Sequence, residues 1–225
     1  TDLTSGISSD TVLTITDYHT GWSAEIQLYA GDTIDTIVSR INEELSAEHN
    51  QQLTSSEAKT SSGNPITTST LLVNIDTGTD PAFTSGDVIT ISGTDHTGGS
   101  VLESITVSDS TTVQDLLREI QDAFNGDVVA SLDASGHIVI EDVTAGTSDI
   151  TLTLTRTHDG QDYQDFGTFN VTQTGRYSLG ITASNENGYL KIQHNAYGSG
   201  NGFTVSENGS ELGLTAGTYT GPEGQ

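Results

Sequence analysis

Two segments of this chain share one apolar spacing, which requires both to fold as amphipathic helices. In each segment the apolar residues stand at relative positions 0, 3, 4, 7 and 11. That spacing lines one face of a helix with about 3.6 residues per turn. The sequence therefore predicts two helices of one kind, over 32–48 and 111–125. Their apolar faces are Ile34, Ile37, Val38, Ile41 and Leu45 in the first, and Val113, Leu116, Leu117, Ile120 and Phe124 in the second.

Both helices carry start signals, and the second also carries a stop signal. Asp32 is predicted to cap the first helix, with Asp35 in its first turn, where the helix dipole favours an anion. Thr111 and Gln114 form a capping-box pattern at the start of the second helix. The dipeptide Asn125-Gly126 is a typical C-terminal stop.

The rest of the chain alternates apolar and polar residues in the manner of β-strands. Thr, Ser and Gly are abundant, which suits short strands joined by tight turns. The hydrophobic fraction of 32% is low but sufficient for two modest cores. The predicted fold class is α+β, mostly β. Predicted strands cover 13–15, 26–28, 51–58, 88–91, 101–107, 128–132, 137–140 and 150–154, with a hairpin turn at 133–136.

A pattern that follows the second helix recurs far downstream. The later copy has no helix directly before it, whereas the first helix is followed by a single strand-like stretch. The economical interpretation is that the later copy completes the unit that the first helix begins. The matching segments are 130–131 with 183–184, 137–140 with 189–192, and 150–152 with 203–205.

An insertion explains this arrangement. A discontinuous β-rich domain would comprise 1–66 plus 161–225, and a second β-rich domain, 67–160, would be inserted in it. Two linkers, near 60–68 and 157–165, would join them, because insertions are tolerated at surface loops with closely spaced ends. The alternative is three serial domains, of which the first would lack enough strands to cover its helix.

The charge of the chain limits its partners. Six Lys and Arg residues stand against 31 Asp and Glu, for a net charge of −25. Nucleic acids and anionic membranes are repelled by such a surface, so we predict no nucleic-acid partner. We interpret the charge as solubility in a salty medium, where ions screen self-repulsion. Calcium-dependent folding is the alternative.

Targeting and redox signals are few. The sequence contains no run of 18 apolar residues, and membrane insertion is not predicted. It does not open with a secretory signal peptide. If the chain is a fragment, there is room for an export signal upstream of it. It has no cysteine, which excludes disulfides and cysteine-bound metals.

The repeated element has a recognisable order of residues. The first helix carries Ile41-Asn42 and the second Ile120-Gln121, and the later strands contain 129–131 and 181–184. This order resembles the flagellin IN motif, in which a capped helix ends in Ile-Asn and a Val-x-Ala-Ser strand follows. Here Gln121 replaces the second Asn. The tail, 213–221, is similar to a stretch of the flagellar filament-cap family (hook-associated protein 2).

The resemblance covers most of 10–58 and 100–221, and it implies a central region of such a protein. It implies a structural and assembly role rather than an enzyme: the outer head of the filament cap, supporting flagellin polymerisation at the tip. Self-association in the full-length protein, contact with flagellin, coiled-coil segments outside this region and an extracellular, flagellar location would follow. A hook–filament junction protein or a flagellin outer domain remains an alternative.

One segment imitates half of an aspartic-protease site. Asp76-Thr77-Gly78 follows an apolar stretch, but the chemistry needs two facing carboxylates that share a proton. The sequence has no second Asp-Thr-Gly, and we interpret the segment as a tight turn. Gly198-Ser199-Gly200 lacks the frame of a nucleophile elbow or a phosphate loop. The sequence therefore predicts no catalytic residue and no cofactor.

Two sets of residues are candidate metal ligands. The carboxylates provide hard oxygen ligands of the kind that Ca²⁺ prefers, but their spacing is not that of an EF-hand, and a solvated linker explains them equally well. The histidines form no pair at zinc-binding spacing. We predict no metal site. The carboxylates are Asp149, Asp159, Asp162 and Asp165, and the histidines are His19, His49, His96, His137, His158 and His194.

Five aromatic residues lie at turns or in the predicted return linker. Packing beneath loops explains them, and exposure at a contact surface or glycan platform is the alternative. The second functional hypothesis is therefore an extracellular adhesin or carbohydrate-binding module with host or surface glycans as partners. A hydrolase is the third, and we find no credible nucleophile for it. The aromatic residues are Tyr18, Trp22, Tyr163, Phe166 and Phe169.

Overall fold

A computed structural model describes residues 3, 5–196, 198 and 200–220 of the chain, and both predicted helices form. Strands make up 42% and helices 13%, which confirms the predicted class, α+β and mostly β. In the described ranges, no helix has the length and apolar character needed to cross a membrane. In chain order the elements are β1 (Thr11–Asp17), β2 (Ser23–Leu28), α1 (Ile34–Ser46), β3 (Asn50–Ser55), β4 (Thr60–Ser61), β5 (Asn64–Pro65), a 3-10 turn (Leu72–Asn74), β6 (Val88–Thr94), β7 (Ser100–Thr106), α2 (Val113–Ala123), β8 (Val128–Leu132), β9 (Ile138–Ala145), β10 (Thr151–His158), β11 (Gln161–Tyr163), β12 (Phe169–Gln173), β13 (Ile181–Glu186), β14 (Tyr189–His194), β15 (Phe203–Glu207) and β16 (Gly217–Tyr219).

Helix α1 is capped one residue later than predicted. Its N-cap is Thr33, whose hydroxyl accepts the backbone N–H of Thr36 at 3.4 Å. The Asp32 carboxylate instead accepts the Tyr29 N–H at 2.9 Å and binds the Arg40 guanidinium at 3.0 Å. Asp32 therefore closes the preceding turn, and its carboxylate is not available to the helix N-terminus.

Helix α2 has the predicted capping box, shifted by one residue. Thr112 and Asp115 form it, not Thr111 and Gln114: the Asp115 N–H donates to the Thr112 hydroxyl at 3.2 Å, and the Thr112 N–H donates to the Asp115 carboxylate at 2.9 Å. The dipeptide Asn125-Gly126 ends the helix as predicted, because both residues adopt left-handed backbone, with φ of 54° and 82°.

The chain divides into two compact units, and the first comprises Thr1–Ala47 and Ser178–Gln225. Its antiparallel sheet has the strand order β16-β15-β1-β2, and β13 and β14 form a separate hairpin. Helix α1 packs on β2 and β13. The first helix thus shares a core with residues from the far end of the chain. The buried members of that core include Leu13, Ile15, Ile26, Ile37, Ile41, Leu45, Ile181, Ala183, Phe203 and Val205.

The second unit, Glu48–Tyr177, contains two four-stranded antiparallel sheets in addition to the short β4–β5 hairpin. Their strand orders are β11-β10-β6-β7 and β12-β3-β9-β8. Helix α2 contacts β7 of one sheet and β8 of the other, so its apolar face joins their cores. Each large aliphatic side chain buried there contributes about 1.5–3 kcal/mol. Buried members include Leu53, Ile89, Ile91, Leu116, Ile120, Phe124, Ile138, Ile140, Leu152 and Leu154.

The unit boundaries differ from the predicted ones. The sequence places 48–66 and 161–177 in the first domain, but both belong to the second unit. Strand β3 pairs with β9, β12 pairs with β3, and β11 pairs with β10. These strands extend the sheets of the second unit, which explains why they pack there. The predicted linkers near 60–68 and 157–165 consequently lie within that unit, where 60–65 forms the β4–β5 hairpin.

Candidate functional site

One carboxamide joins helix α1 to strand β13. The Asn42 side-chain N–H donates to the Ala183 carbonyl at 2.9 Å, and its side-chain oxygen accepts the Ala183 N–H at 2.8 Å. Ala183 opens the Ala-Ser pair of the repeated element. Since an Asn side chain offers both donors and an acceptor, it satisfies both outward groups of this strand residue. Asn42 therefore fixes the hairpin to the helix.

The second unit has the same joint with a longer side chain. The Gln121 side-chain oxygen accepts the Ala130 N–H at 3.0 Å. Ala130 is the counterpart of Ala183 in the repeat. The replacement of Asn by Gln at this position therefore keeps the bond to the strand amide, with one contact where Asn42 makes two.

An open groove lies beside β14 in the first unit. Its volume is about 460 Å³. At one wall the rings of Phe203 and Tyr219 stack with centroids 5.5 Å apart, and the rim residue Tyr189 is 55% exposed. A groove with an aromatic wall and both apolar and polar lining residues suits a binding surface. Its apolar lining includes Leu190, Ile192, Phe203, Val205, Leu214 and Tyr219.

Asp76 stabilises a turn. It is exposed, and its carboxylate accepts the Thr60 hydroxyl at 2.8 Å and the Gly63 N–H at 3.2 Å. The hydrogen bond from Thr60, followed by that from Gly63, lowers the pKa of Asp76 below its ordinary value. A carboxylate that holds the β4–β5 hairpin in this way has the local role that turn acids commonly have.

Arg156 lies at the centre of a buried ionic cluster in the second unit. Its guanidinium binds Asp165 through two bonds, at 2.8 and 3.0 Å, and Asp87 through one, at 3.1 Å. The Phe83 and Tyr163 rings lie against it, with centroids 4.4 and 4.9 Å from the guanidinium carbon. The Arg156 side chain is 1% exposed, so its charge must be neutralised locally.

The electrostatics of this cluster favour the charged forms of Asp87 and Arg156. Burial opposes ionisation of Asp87, but hydrogen bonds from Thr84, His158 and Arg156 outweigh it and lower the pKa of Asp87. Burial likewise opposes the charge on Arg156, and Asp165 and Asp87 raise the Arg156 pKa above its ordinary value. The cluster therefore stabilises the β10–β11 end of its sheet as long as Asp87 is charged.

This cluster was not predicted from the sequence, although β10 carries a signal for it. Leu152, Leu154 and Arg156 alternate along β10, so period-two reasoning places Arg156 on the buried face. Asp165, which we considered as a calcium ligand, is instead buried against that arginine. Among the described residues, no three His, Asp or Glu side chains are arranged to hold a metal ion.

Several histidines pair with single carboxylates. His194 lies 3.1 Å from Asp17, and the Ala196 N–H donates to its other ring nitrogen, so the nitrogen facing Asp17 carries the proton. His96 lies 2.8 Å from Asp142, and the Ser148 hydroxyl donates to the same carboxylate at 2.5 Å. Since that hydroxyl bonds the carboxylate rather than the imidazole, the set is not a nucleophile–base pair.

The five aromatic residues have different environments. Phe166 is buried, and Trp22 and Phe169 pack against the cores. Tyr163 contacts Arg156, and Tyr18 is 67% exposed. Packing therefore explains most of the set, and Tyr18 is the member that offers a contact surface.

Two sequence features fall partly outside the described residues. Ser199, the centre of Gly198-Ser199-Gly200, lies outside them, and so does Gly221 at the end of the tail segment. Within that tail, β16 adds an edge strand beside β15.

Comparisons with known proteins give distant structural neighbours. No family model matches the chain, and no curated protein sequence matches it. The D2–D3 domains of the flagellar cap protein FliD from Serratia marcescens are similar at 16% identity over 95% of this chain and 78% of that chain, with a TM-score of 0.32. FliD from Helicobacter pylori is similar at 14% identity over 96% and 76%, with a TM-score of 0.28. Likeness at this level carries no argument about function.

Proposed function

We propose that this chain is a structural part of the bacterial flagellum, the outer head region of a filament cap that supports flagellin polymerisation at the tip. The observation that supports the proposal best is the repeated helix-and-hairpin element. In both units the polar residue that follows a buried isoleucine, Asn42 or Gln121, bonds the alanine of the Ala-Ser strand. These are the residues that carry the resemblance to the flagellin motif, and each has a defined structural task.

The physical properties of the units suit a rigid assembly component. Each helix is fixed to its hairpin by a carboxamide and by a shared apolar core. Hydrogen bonds and dense packing of this kind limit internal motion, which lets a domain transmit contacts without deforming. The excess of acidic residues keeps such a domain soluble outside the cell, where salt screens its self-repulsion.

The same proposal covers partners and location. The full-length protein would self-associate through segments outside this region and would contact flagellin at the growing tip. It would be secreted and extracellular. Neither an enzymatic activity nor a cofactor is part of the proposal.

Deleting residues 1–225 in frame tests the proposal in a bacterium that makes the protein. We expect short or missing filaments and an accumulation of unpolymerised flagellin in the medium, measured by electron microscopy and by immunoblotting of the supernatant. Complementation with the intact gene is the control. Normal filaments in the deletion strain would contradict a cap role, and immunogold label at the hook junction instead of the tip would favour the junction alternative.

An adhesin is the second candidate, and the exposure of Tyr18 favours it. Tyr18 follows β1 at the turn before Trp22, and two-thirds of its side chain is exposed. Trp22 packs partly against the core, so Tyr18→Ala removes exposed aromatic surface with less risk to the fold. Glycan-array binding by the wild type that this substitution abolishes would support the adhesin.

A further inference from the structure

We propose that the outer edge of β14 and the adjoining groove bind an extended segment of another polypeptide, which adds to β14 as a strand. The segment would carry an apolar side chain opposite Ile192 and would be neutral or basic. The inference concerns a binding surface and does not depend on the flagellar role.

The hydrogen bonding of Ala183 fixes which groups of β14 face outward. Ala183 pairs with Ile192 in the β13–β14 hairpin. Both backbone groups of Ala183 bond Asn42, so they point away from β14. A residue pair in an antiparallel ladder either exchanges both of its hydrogen bonds or neither. The Ile192 N–H and C=O therefore point away from β13.

In the second unit, an additional strand is paired to the equivalent edge of the hairpin. There Ala130 is bonded to Gln121 and pairs with Ile140 of β9, which makes Ile140 the counterpart of Ile192. Ile140 pairs with Leu53 of the added strand β3. Leu53 is 2% exposed and belongs to the core of its unit. In the first unit the Leu3 N–H donates to the Gly188 carbonyl at 3.0 Å, just before β14 begins. Along β14 itself, β13 is the strand partner, and the described residues provide no counterpart of β3.

The groove lies where an inward side chain of an added strand would pack. It separates β14 from β15 and β16, and its walls include Leu190, Val205 and Leu214. In the second unit Leu53, which pairs with Ile140 of β9, is buried in the core of its unit. An apolar side chain on the incoming strand would remove this surface from water, at about 25 cal/mol per Å².

Charge favours a different polypeptide over a second copy of this chain. The segments that form the first unit contain twelve acidic and two basic residues. A copy would bring a surface of the same sign, whereas a neutral or basic segment is not repelled. The cation of β14 itself, Lys191, is paired with Glu186 at 2.6 Å and does not offset this excess.

A labelled peptide tests the proposal on the full 225-residue chain. The peptide carries the sequence of residues 50–55, Asn-Gln-Gln-Leu-Thr-Ser, between two pairs of lysines. We expect fluorescence anisotropy to show binding in the micromolar range, weakened by salt. Ile192→Pro removes the outward N–H without touching the β13 ladder and should weaken binding roughly tenfold or more, since backbone hydrogen bonds are lost. Ile192→Val keeps that N–H and should bind within roughly twofold of wild type.

A change on the peptide makes the test independent of how the variant folds. N-methylation of the peptide leucine blocks the N–H that faces β14, and it should abolish binding to the wild-type chain. N-methylation of the following threonine places the methyl on the opposite edge of the strand and should leave binding intact.

Hydrogen exchange supplies a structural readout. The Ile192 amide should exchange rapidly in the free chain and become protected when the peptide is bound, whereas the Gln193 amide, which faces β13, should be protected in both states. The proposal is overturned by any of three results: no binding at about 1 mM peptide, equal binding of both methylated peptides, or a protected Ile192 amide in the free monomer. A concentration-dependent dimer in analytical ultracentrifugation that Ile192→Pro abolishes would assign the edge to a second copy and overturn it too.

Discussion

At the scale of single residues, the described structure depends on a few polar side chains that are bonded from several directions. Arg156 is the clearest case, because its guanidinium is held by two carboxylates and two aromatic rings and is shielded from water. Such clusters are strongly destabilised when one member is removed, since the remaining charges stay buried. Arg156 thus provides the cation that pairs with the two buried carboxylates, Asp87 and Asp165.

Arg156→Met should destabilise the second unit by about 3–5 kcal/mol, because it leaves two carboxylates without their cation. Urea unfolding at pH 7 measures the change. Arg118→Met is the matched control: the Arg118–Asp115 pair is exposed, and its loss should cost about 1 kcal/mol or less. Equal effects of the two substitutions would contradict the buried-cluster interpretation.

The same cluster predicts a pH dependence. The pKa of Asp87 is lower in the folded chain than the value of about 3.9 expected in the unfolded chain. Its stabilisation is therefore complete above about pH 4 and is lost as the pH falls below 4 through the lowered folded-state pKa. Urea midpoints measured at descending pH should fall in this window for the wild type and less steeply for Asp87→Asn. Parallel curves would show that Asp87 is not responsible.

At the scale of elements, each helix is attached to its hairpin by one carboxamide. The joint in the first unit has two hydrogen bonds and that in the second has one. Both join the residue after a buried isoleucine to the alanine of an Ala-Ser strand. Both copies of the repeat therefore contain a hydrogen bond between a helix carboxamide and the strand alanine, and the side chain that makes it is Asn in one copy and Gln in the other.

Asn42→Ala should cost about 2 kcal/mol, because it leaves the Ala183 N–H and C=O without their partner, whereas Gln121→Ala should cost about 1 kcal/mol. Denaturant unfolding gives the free energies, and faster exchange of the Ala183 amide would localise the effect. Glu43→Ala, which changes an exposed neighbour on the same helix, is the control. A loss for Asn42→Ala no larger than that of the control would refute the joint.

At the scale of the whole molecule, the chain forms two units, of which one is continuous in sequence and the other is made of two separate segments. The second unit is one continuous stretch, Glu48–Tyr177, while the first draws on both ends of the chain. A continuous unit with its own core can be excised. The sequence predicts a shorter inserted domain, 67–160, than the unit that the structure shows.

A fragment of residues 48–177 should fold alone with a cooperative thermal transition. A fragment of the predicted inserted domain, 67–160, should not, because it lacks β3, which covers the edge of β9, and Asp165, which pairs with Arg156. Circular dichroism melting and amide dispersion in NMR spectra compare the two. A cooperative transition of the shorter fragment at the same temperature would show that β3 and 161–177 are dispensable.

The sequence by itself determined the features that depend on neighbours in the chain. The repeated apolar spacing identified both helices, alternation identified most strands, and the Ala-Ser repeat linked α1 to β13 across the length of the chain. These signals are readable because helix and strand periods are local properties of the backbone. The cap positions were displaced by one residue because the preceding turns compete for the same side chains, as Asp32 does.

The tertiary structure alone decided which strands complete which sheet. Nothing local distinguishes 48–66 from a strand of the first unit, and its assignment follows from the pairing of Leu53 with Ile140. The pairing of Arg156 with Asp165 and Asp87, and the edge of β14 at Ile192, on which no second strand lies among the described residues, have the same origin. Strand pairing and charge burial are contacts between distant residues, and a single sequence carries no local signal for the partner that each will find.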